Sequence, residues 1–143
     1  MKAKGIPDPN WLAGFTDAEG CFFVTINKSD KSRLGESVGL KFLITQHRRD
    51  GEPMESLITI LGCGRIEANS DGSVVNLVVT RFQDITDKII PFFERYPLQG
   101  AKALEFSDFK RVANLMKNKA HLTKEGLDQI RAIKSGMNFS RCT

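Results

Sequence analysis

Apolar positions along this chain switch between a spacing of two and a spacing of three to four, and each switch marks a new element. From Cys21 to Asn27 the pattern alternates: Phe22, Val24 and Ile26 share one face, while Phe23, Thr25 and Asn27 share the other. A second alternating run covers Ser37 to Gln46, with Val38, Leu40, Phe42 and Ile44 pointing one way. Ser37, Gly39, Lys41, Leu43 and Thr45 point the other way, and that face is mostly polar. Residues 28–36 between the two runs are polar enough for a long hairpin connection. A second hairpin is predicted from about Gly64 to Asn69 and Val74 to Thr80, joined through Ser70-Asp71-Gly72-Ser73. Its inward residues are Val75, Leu77 and Val79, and its outward ones are Arg65, Glu67, Asn69, Asn76 and Val78.

Helical spacing fills the rest. Asp50 to Leu61 reads as a helix, with Met54, Leu57, Ile58 and Leu61 on one stripe, Asp50 as cap and Gly62 as stop. Asp84 to Phe93 reads as a helix interrupted near Pro91, with Ile85, Ile89, Phe92 and Phe93 inward. A longer helix over Lys102 to Lys119 turns Leu104, Phe109, Val112 and Met116 inward, and Thr123 caps a last helix to about Ser135 with Leu127, Ile130 and Ile133 inward. At the front, Asp8-Pro9 has the form of a helix start and Gly20 that of a left-handed stop, which predicts a short helix from about Pro9 to Glu19. Gly14 and Ala18 stand one turn apart on it and allow another backbone to approach closely. Glu19 sits at its C-terminal tip, where the helix dipole disfavours a negative charge, so a cation is expected nearby.

The resulting order is α-β-β-α-β-β-α-α-α. Two hairpins backed by helices predict an α+β fold: one four-stranded antiparallel sheet with helices on one face and the other face open. An open, twisted, polar sheet face is a shape suited to a DNA major groove.

Composition narrows this picture only slightly. The chain has 143 residues, enough for one domain over 1–143 with a sizeable core. Its 41% hydrophobic and 27% charged content is that of a globular chain. No apolar run approaches the roughly 18 residues of a membrane span, and Met1-Lys2-Ala3-Lys4 leads into no signal-type segment, so neither a membrane partner nor secretion is expected. Cys21, Cys63 and Cys142 have no metal-type spacing and fit free thiols in a reducing compartment. Residues 101–143 carry nine Lys/Arg against four Asp/Glu, whereas residues 1–100 carry twelve against thirteen. A basic C-terminal third is compatible with a polyanionic partner.

The stretch Leu12-Ala13-Gly14-Phe15-Thr16-Asp17-Ala18-Glu19-Gly20 matches the LAGLIDADG signature at six of nine positions. Cys21-Phe22-Phe23-Val24, Ile44-Thr45-Gln46-His47, Leu61-Gly62-Cys63-Gly64, Val79-Thr80-Arg81-Phe82 and Asp87-Lys88-Ile89-Ile90-Pro91 extend the likeness over nearly the whole chain. The chain therefore resembles the LAGLIDADG homing endonucleases, and most closely the second half of the two-motif enzymes encoded in organellar introns. That resemblance implies a site-specific double-strand DNA endonuclease that leaves 3′ overhangs. One motif rather than two implies a homodimer on a near-palindromic target, joined through the motif helix at Leu12, Gly14, Phe15 and Ala18. It also implies an organellar, intracellular setting. Alternative readings are a catalytically silent RNA-splicing maturase or DNA-binding module, or a half-domain that needs a different partner half.

The resemblance carries the metal ligand over to Glu19, with the Ala18 carbonyl beside it, and makes Asp17 structural. Mg²⁺ or Mn²⁺ is the implied cofactor, Ca²⁺ is expected to bind without supporting cleavage, and no small-molecule cofactor is expected. Gln46 corresponds to a residue that orders active-site water, and Lys102 to a lysine at the edge of the active site. His47 has no catalytic counterpart and is read as a loop residue or phosphate contact. Base contacts are expected from Thr25, Asn27, Lys28, Ser37, Gly39, Lys41, Leu43, Arg65, Glu67, Asn69, Asn76 and Val78. Phosphate contacts are expected from Arg48, Arg49, Arg81, Lys117 and Lys119.

Overall fold

The computed structural model describes residues 9–47 and 54–137. Helix α1 (Pro9–Glu19) leads directly into β1 (Gly20–Lys28), which turns back as β2 (Glu36–His47). Helix α2 (Met54–Leu61) follows, then β3 (Arg65–Ala68) and β4 (Val74–Val79). The chain then becomes helical: α3 (Phe82–Asp84) runs through a π-type turn (Ile85–Ile89) into α4 (Ile90–Arg95), followed by α5 (Gly100–Lys117) and α6 (Lys124–Gly136). The strands form one antiparallel sheet in the order β1-β2-β4-β3. This is the α+β architecture expected from the spacing. Among the described residues, no helix is long and apolar enough to cross a membrane.

The core lies between the inner sheet face and the helices. Phe22 is its centre: its ring lies 5.1 Å from those of Phe42 and Phe109, 5.5 Å from Phe106 and 5.9 Å from Phe93. Each such ring pair adds about 0.5–1.5 kcal/mol beyond the area that it buries. Thus β1, β2, α4 and α5 pack onto one another through this ring cluster.

Local chemistry sets the boundaries. Gly62 ends α2 at φ 77°, as expected of a left-handed stop, and the Lys88 ammonium donates to its carbonyl at 2.7 Å. Thr123 caps α6, its hydroxyl accepting from the Gly126 N–H at 3.0 Å. Gly20 behaves differently from the expectation, since it is not among the glycines with positive φ. A Cβ there would lie 2.5 Å from Thr16 Cγ2 and 2.8 Å from the Thr16 carbonyl oxygen. Glycine is needed for space, not for φ, and its lack of a side chain lets β1 leave the helix without a loop. Thr16 itself is buried and donates its hydroxyl to the Leu12 carbonyl at 2.9 Å, so no polar atom is stranded.

Three further expectations are corrected. Leu104 is 71% exposed, because the inward stripe of α5 runs through Lys102, Glu105, Phe109, Val112 and Ala113. The interruption expected near Pro91 is not a break: it is the π-type turn Ile85–Ile89 just before the proline, through which the helix continues from Phe82 to Arg95. Asn69 is not on β3 but in the turn, where its side chain accepts from the Val74 N–H at 3.2 Å and donates to Ser73. The proposed caps Asp8 and Asp50 lie outside the described residues, as do Arg48 and Arg49.

Candidate functional site

Helix α1 has two unlike sides. Leu12, Ala13 and Thr16 are buried against the sheet and α5. Trp11, Gly14 and Ala18 are exposed and Phe15 is half-buried, at positions i, i+3, i+7 and i+4. The Trp11 and Phe15 rings stack at 5.1 Å with an 8° interplanar angle. Among the described residues, these positions leave a partly exposed, largely apolar stripe on the outer side of α1. Leu12 does not belong to that stripe: it is 0% exposed and part of the core, so its expected interface role is wrong. Trp11 takes its place, and the i, i+3, i+4, i+7 spacing was there to identify it.

The stripe ends at Ala18 and Glu19, both exposed at the C-terminal tip. No basic residue stands in the last turn of α1 to offset the Glu19 charge. A carboxylate beside the carbonyl end of a helix is an all-oxygen donor set, which suits a hard divalent cation. Among the described residues, no cluster of three or more His, Cys, Asp or Glu side chains could complete a site within one chain. Mg²⁺ tolerates that, since it keeps waters and takes phosphate oxygens. The donors present therefore fit such an ion, with the rest of its oxygens coming from outside this helix.

Gln46 reaches the same end of the sheet. Gly20 pairs with Ile44, so Gln46 lies two residues further along β2 toward the tip of α1. It occupies the core-facing parity of β2 and is only 6% exposed. Lys102 comes close through a different route. Both Asp17 carboxylate oxygens accept from the backbone N–H of Gln99, at 2.9 and 3.0 Å, and Gln99 caps α5. This pins the first turn of α5, which carries Lys102, to the last turn of α1. Asp17 is structural, as the resemblance implied. The Lys102 side chain is not displayed to solvent, however. It is buried, with its ammonium 4.0 Å from the Glu105 carboxylate, which is buried as well. Glu105 was not singled out in the sequence, because an i, i+3 Lys–Glu pair usually marks a solvated face.

The open face of the sheet is a grid of polar residues. Thr25 pairs with Gly39, Phe23 with Lys41, and Asn27 with Ser37. The Lys41 ammonium lies 5.7 Å from the Phe23 ring centroid. Gly39 leaves room for Thr25, whose hydroxyl would be 2.8 Å from any Cβ built there. Thr45 donates to the Asn76 side-chain oxygen at 2.8 Å, joining β2 to β4. Arg65 binds Glu67 and Thr80. Lys28, at the end of β1, and Arg81, after β4, are exposed. Val78 is corrected: it lies on this face but is 1% exposed, flanked by Leu43 on one strand and Arg65 on the other. Leu43 is half-buried beside it. Lys117 ends α5, and Lys119 occupies the left-handed turn after it at φ 61°, both exposed. Thr80 was not singled out as a member of this face, although its alternation with Val78 places it there; Thr45 was placed on the face but not among the expected base contacts.

A family model described as LAGLIDADG endonuclease matches residues 12–113. Among curated proteins, the chain is 40% identical over 123 residues to a probable intron-encoded endonuclease 3 of Neurospora crassa, covering 86% of this chain and 23% of that protein. It is 31% identical over 122 residues to DNA endonuclease I-CeuI of Chlamydomonas moewusii, covering 82% of this chain and 56% of that enzyme. Among solved structures it is similar to I-SmaMI bound to cleaved DNA, at TM-score 0.90 and 49% identity over 99% of this chain and 47% of the other. I-LtrWI bound to target DNA is similar at TM-score 0.89 and 45% identity, over 96% of this chain and 46% of the other. The chain thus spans about a quarter of the first fungal relative and about half of each solved structure.

Proposed function

The chain belongs to the LAGLIDADG endonuclease family, and from that premise we propose that it is one half of a site-specific, metal-dependent double-strand DNA endonuclease that works as a homodimer. The observation that carries this reading is the exposed stripe of Trp11, Gly14, Phe15 and Ala18, which runs down α1 to the exposed Glu19. Two such stripes packed across a twofold axis bring two Glu19 carboxylates together. A bound Mg²⁺ or Mn²⁺ would supply an activated water and offset charge on the phosphate, while Ca²⁺ would bind without supporting cleavage. A structure of the similar I-SmaMI holds uncleaved DNA in the presence of calcium ions, which agrees with that expectation.

Glu19 and the Ala18 carbonyl would hold the ion. Gln46, close by on β2, orders water on the substrate side. Lys102, on a helix anchored through Asp17, contributes positive charge at the edge of the scissile phosphate once the partner and DNA are in place. The open sheet face, with Lys28 at its edge, lies in the major groove and reads bases, with Arg81, Lys117 and Lys119 supplying phosphate contacts. The target is near-palindromic, cut across the minor groove to leave 3′ overhangs. Two relatives carry names that assign them to ND4 and cox1 introns, and we read an organellar setting for this chain from that.

A second reading is favoured by one observation, that the chain spans 47% of the I-SmaMI structure: the partner is a different half rather than a second copy. Selection of cleaved sites from a randomised duplex pool in Mg²⁺, alongside sedimentation, separates the two. Palindromic sites cut by a dimer are the expected result. A chain that stays monomeric at micromolar concentration and cuts only when a second half is added overturns the homodimer. Metal-independent binding without any cut overturns the enzyme reading, and leaves a maturase or binding module.

A further inference from the structure

Arg65 is the one arginine on the described sheet face whose guanidinium is held on two sides. Its Nε donates to Glu67 Oε2 at 2.8 Å, and its Nη1 donates to Thr80 Oγ1 at 3.1 Å. Arg65 and Glu67 are two residues apart on β3 and so share the open face, opposite Val78 and Asn76 of β4. Arg65 and Glu67 are both about half exposed, at 55% and 50% of their side chains. A surface pair of that kind contributes little to folding. What it does is orient. A free arginine loses much rotamer entropy on forming two hydrogen bonds, and a guanidinium already fixed in its plane loses less.

We propose that Arg65 reads a guanine in the major groove, and that Glu67 and Thr80 are the positioning residues that aim it. The inference rests on the open sheet face being a DNA-contacting surface. Of the five guanidinium N–H groups, Nε–H and one on Nη1 are occupied, which leaves both N–H groups of Nη2 and the second of Nη1 for a further partner. Two parallel donors match the O6 and N7 acceptors of guanine; adenine replaces one acceptor by a donor, and cytosine offers a donor. A phosphate is the other partner an arginine takes, but Glu67 argues against it. A carboxylate 2.8 Å from the guanidinium repels a phosphate anion at that place, whereas it tolerates a neutral base edge. On this assignment Glu67 is not itself a base reader, and its cost is paid in general DNA affinity.

The test is a binding selection with the whole chain on a randomised duplex pool, at two salt concentrations. The unsubstituted protein is expected to enrich guanine at one position governed by Arg65. Arg65→Ala should lose roughly five- to a hundredfold of that preference and leave other positions intact. Glu67→Gln should weaken the same preference by about threefold or more, while binding to non-specific DNA is unchanged or tighter because a negative charge has gone. Thr80→Val should weaken it too, and Thr80→Ser, which keeps the hydroxyl, should restore it. The proposal is overturned if Arg65→Ala lowers affinity evenly across sequences and reduces the salt slope by about one, the signature of a phosphate contact. It is equally overturned if Glu67→Gln leaves the guanine preference untouched. If the unsubstituted chain enriches no site at all, the DNA-contacting reading of the face fails, and the inference fails with it.

Discussion

The backbone N–H of Gln99 points between the two carboxylate oxygens of Asp17, 82 residues earlier in the chain, at 2.9 and 3.0 Å. Gln99 has no side-chain cap of its own, and the first turn of α5 contains no acidic residue. Asp17 therefore acts as a cap supplied from another helix, placing negative charge at the positive end of α5. Removing it should cost what a lost cap costs. Asp17→Ala is expected to lower unfolding free energy by about 1–2 kcal/mol, and Asp17→Asn by less. Chemical denaturation checks this, and equal stability of all three forms would remove the clamp from the account.

Glu19 should show the opposite profile. It is exposed at the end of α1 with no basic residue in its turn, so it contributes charge rather than packing. Glu19→Gln is expected to leave the unfolding midpoint and DNA affinity near those of the unsubstituted chain while abolishing cleavage in Mg²⁺. A variant that still cuts at a near-normal rate would end its role as ligand.

Two glycines six residues apart should respond in contrary ways. Nothing lies within 4 Å of a Cβ built at Gly14, whereas one at Gly20 would meet the Thr16 side chain at 2.5 Å and its carbonyl oxygen at 2.8 Å. Gly14→Leu is expected to keep or slightly raise monomer stability, since glycine costs a helix interior about 0.5–1 kcal/mol, while abolishing association. Gly20→Ala should destabilise the monomer by about 1–3 kcal/mol. Thermal melts with sedimentation velocity distinguish them, and a Gly14→Leu chain that still dimerises would move the interface elsewhere.

The Lys102–Glu105 pair is a stability device as well as a candidate for catalysis. Both side chains are 5% exposed, so truncating one leaves a buried charge behind. Lys102→Ala is expected to lower stability by about 3–5 kcal/mol, and replacing both residues together by Met and Leu to recover most of that loss. A double-mutant cycle with no coupling would show that the pair is incidental.

Burial pushes the Cys63 thiol up to about 11, helped by the nearby Asp84 carboxylate and opposed by Lys88. Its folded pKa therefore exceeds its ordinary value of 9.0, so any stability linked to it is fully present below pH 9 and is lost as pH rises toward 11. Cys63 is expected to resist thiol reagents at pH 8 in the folded chain and to react promptly in denaturant. Rapid labelling of folded Cys63 at pH 8 would contradict its burial.

Much of this protein was legible in local pattern. Alternation of Phe22, Val24 and Ile26, and of Leu40, Phe42 and Ile44, sets which sheet face is dry, because side-chain period in a strand is fixed at two. The Gly62 stop and the Thr123 cap follow from backbone chemistry that acts within a few residues. The signature from Leu12 to Gly20 identified the family. Periodicity also had the means to find Trp11 and Thr80, since each continues a stripe already marked out.

Only the tertiary structure decided which of two possible surfaces a given residue serves. Leu12 and Gly14 stand two residues apart, yet one is sealed in the core and the other lies open, because the sheet and α5 cover only one side of α1. Val78 and Asn76 share a strand face, and Val78 is sealed because Leu43 and Arg65 flank it. Lys102 and Leu104 exchange their expected places for the same reason: α5 packs by the stripe through Phe109 and Val112, which turns Lys102 inward and Leu104 outward. The joining of Asp17 to Gln99 and of Arg65 to Thr80 spans 82 and 15 residues. Contacts at such separations are set by how whole elements pack, and no local spacing in the sequence encodes them.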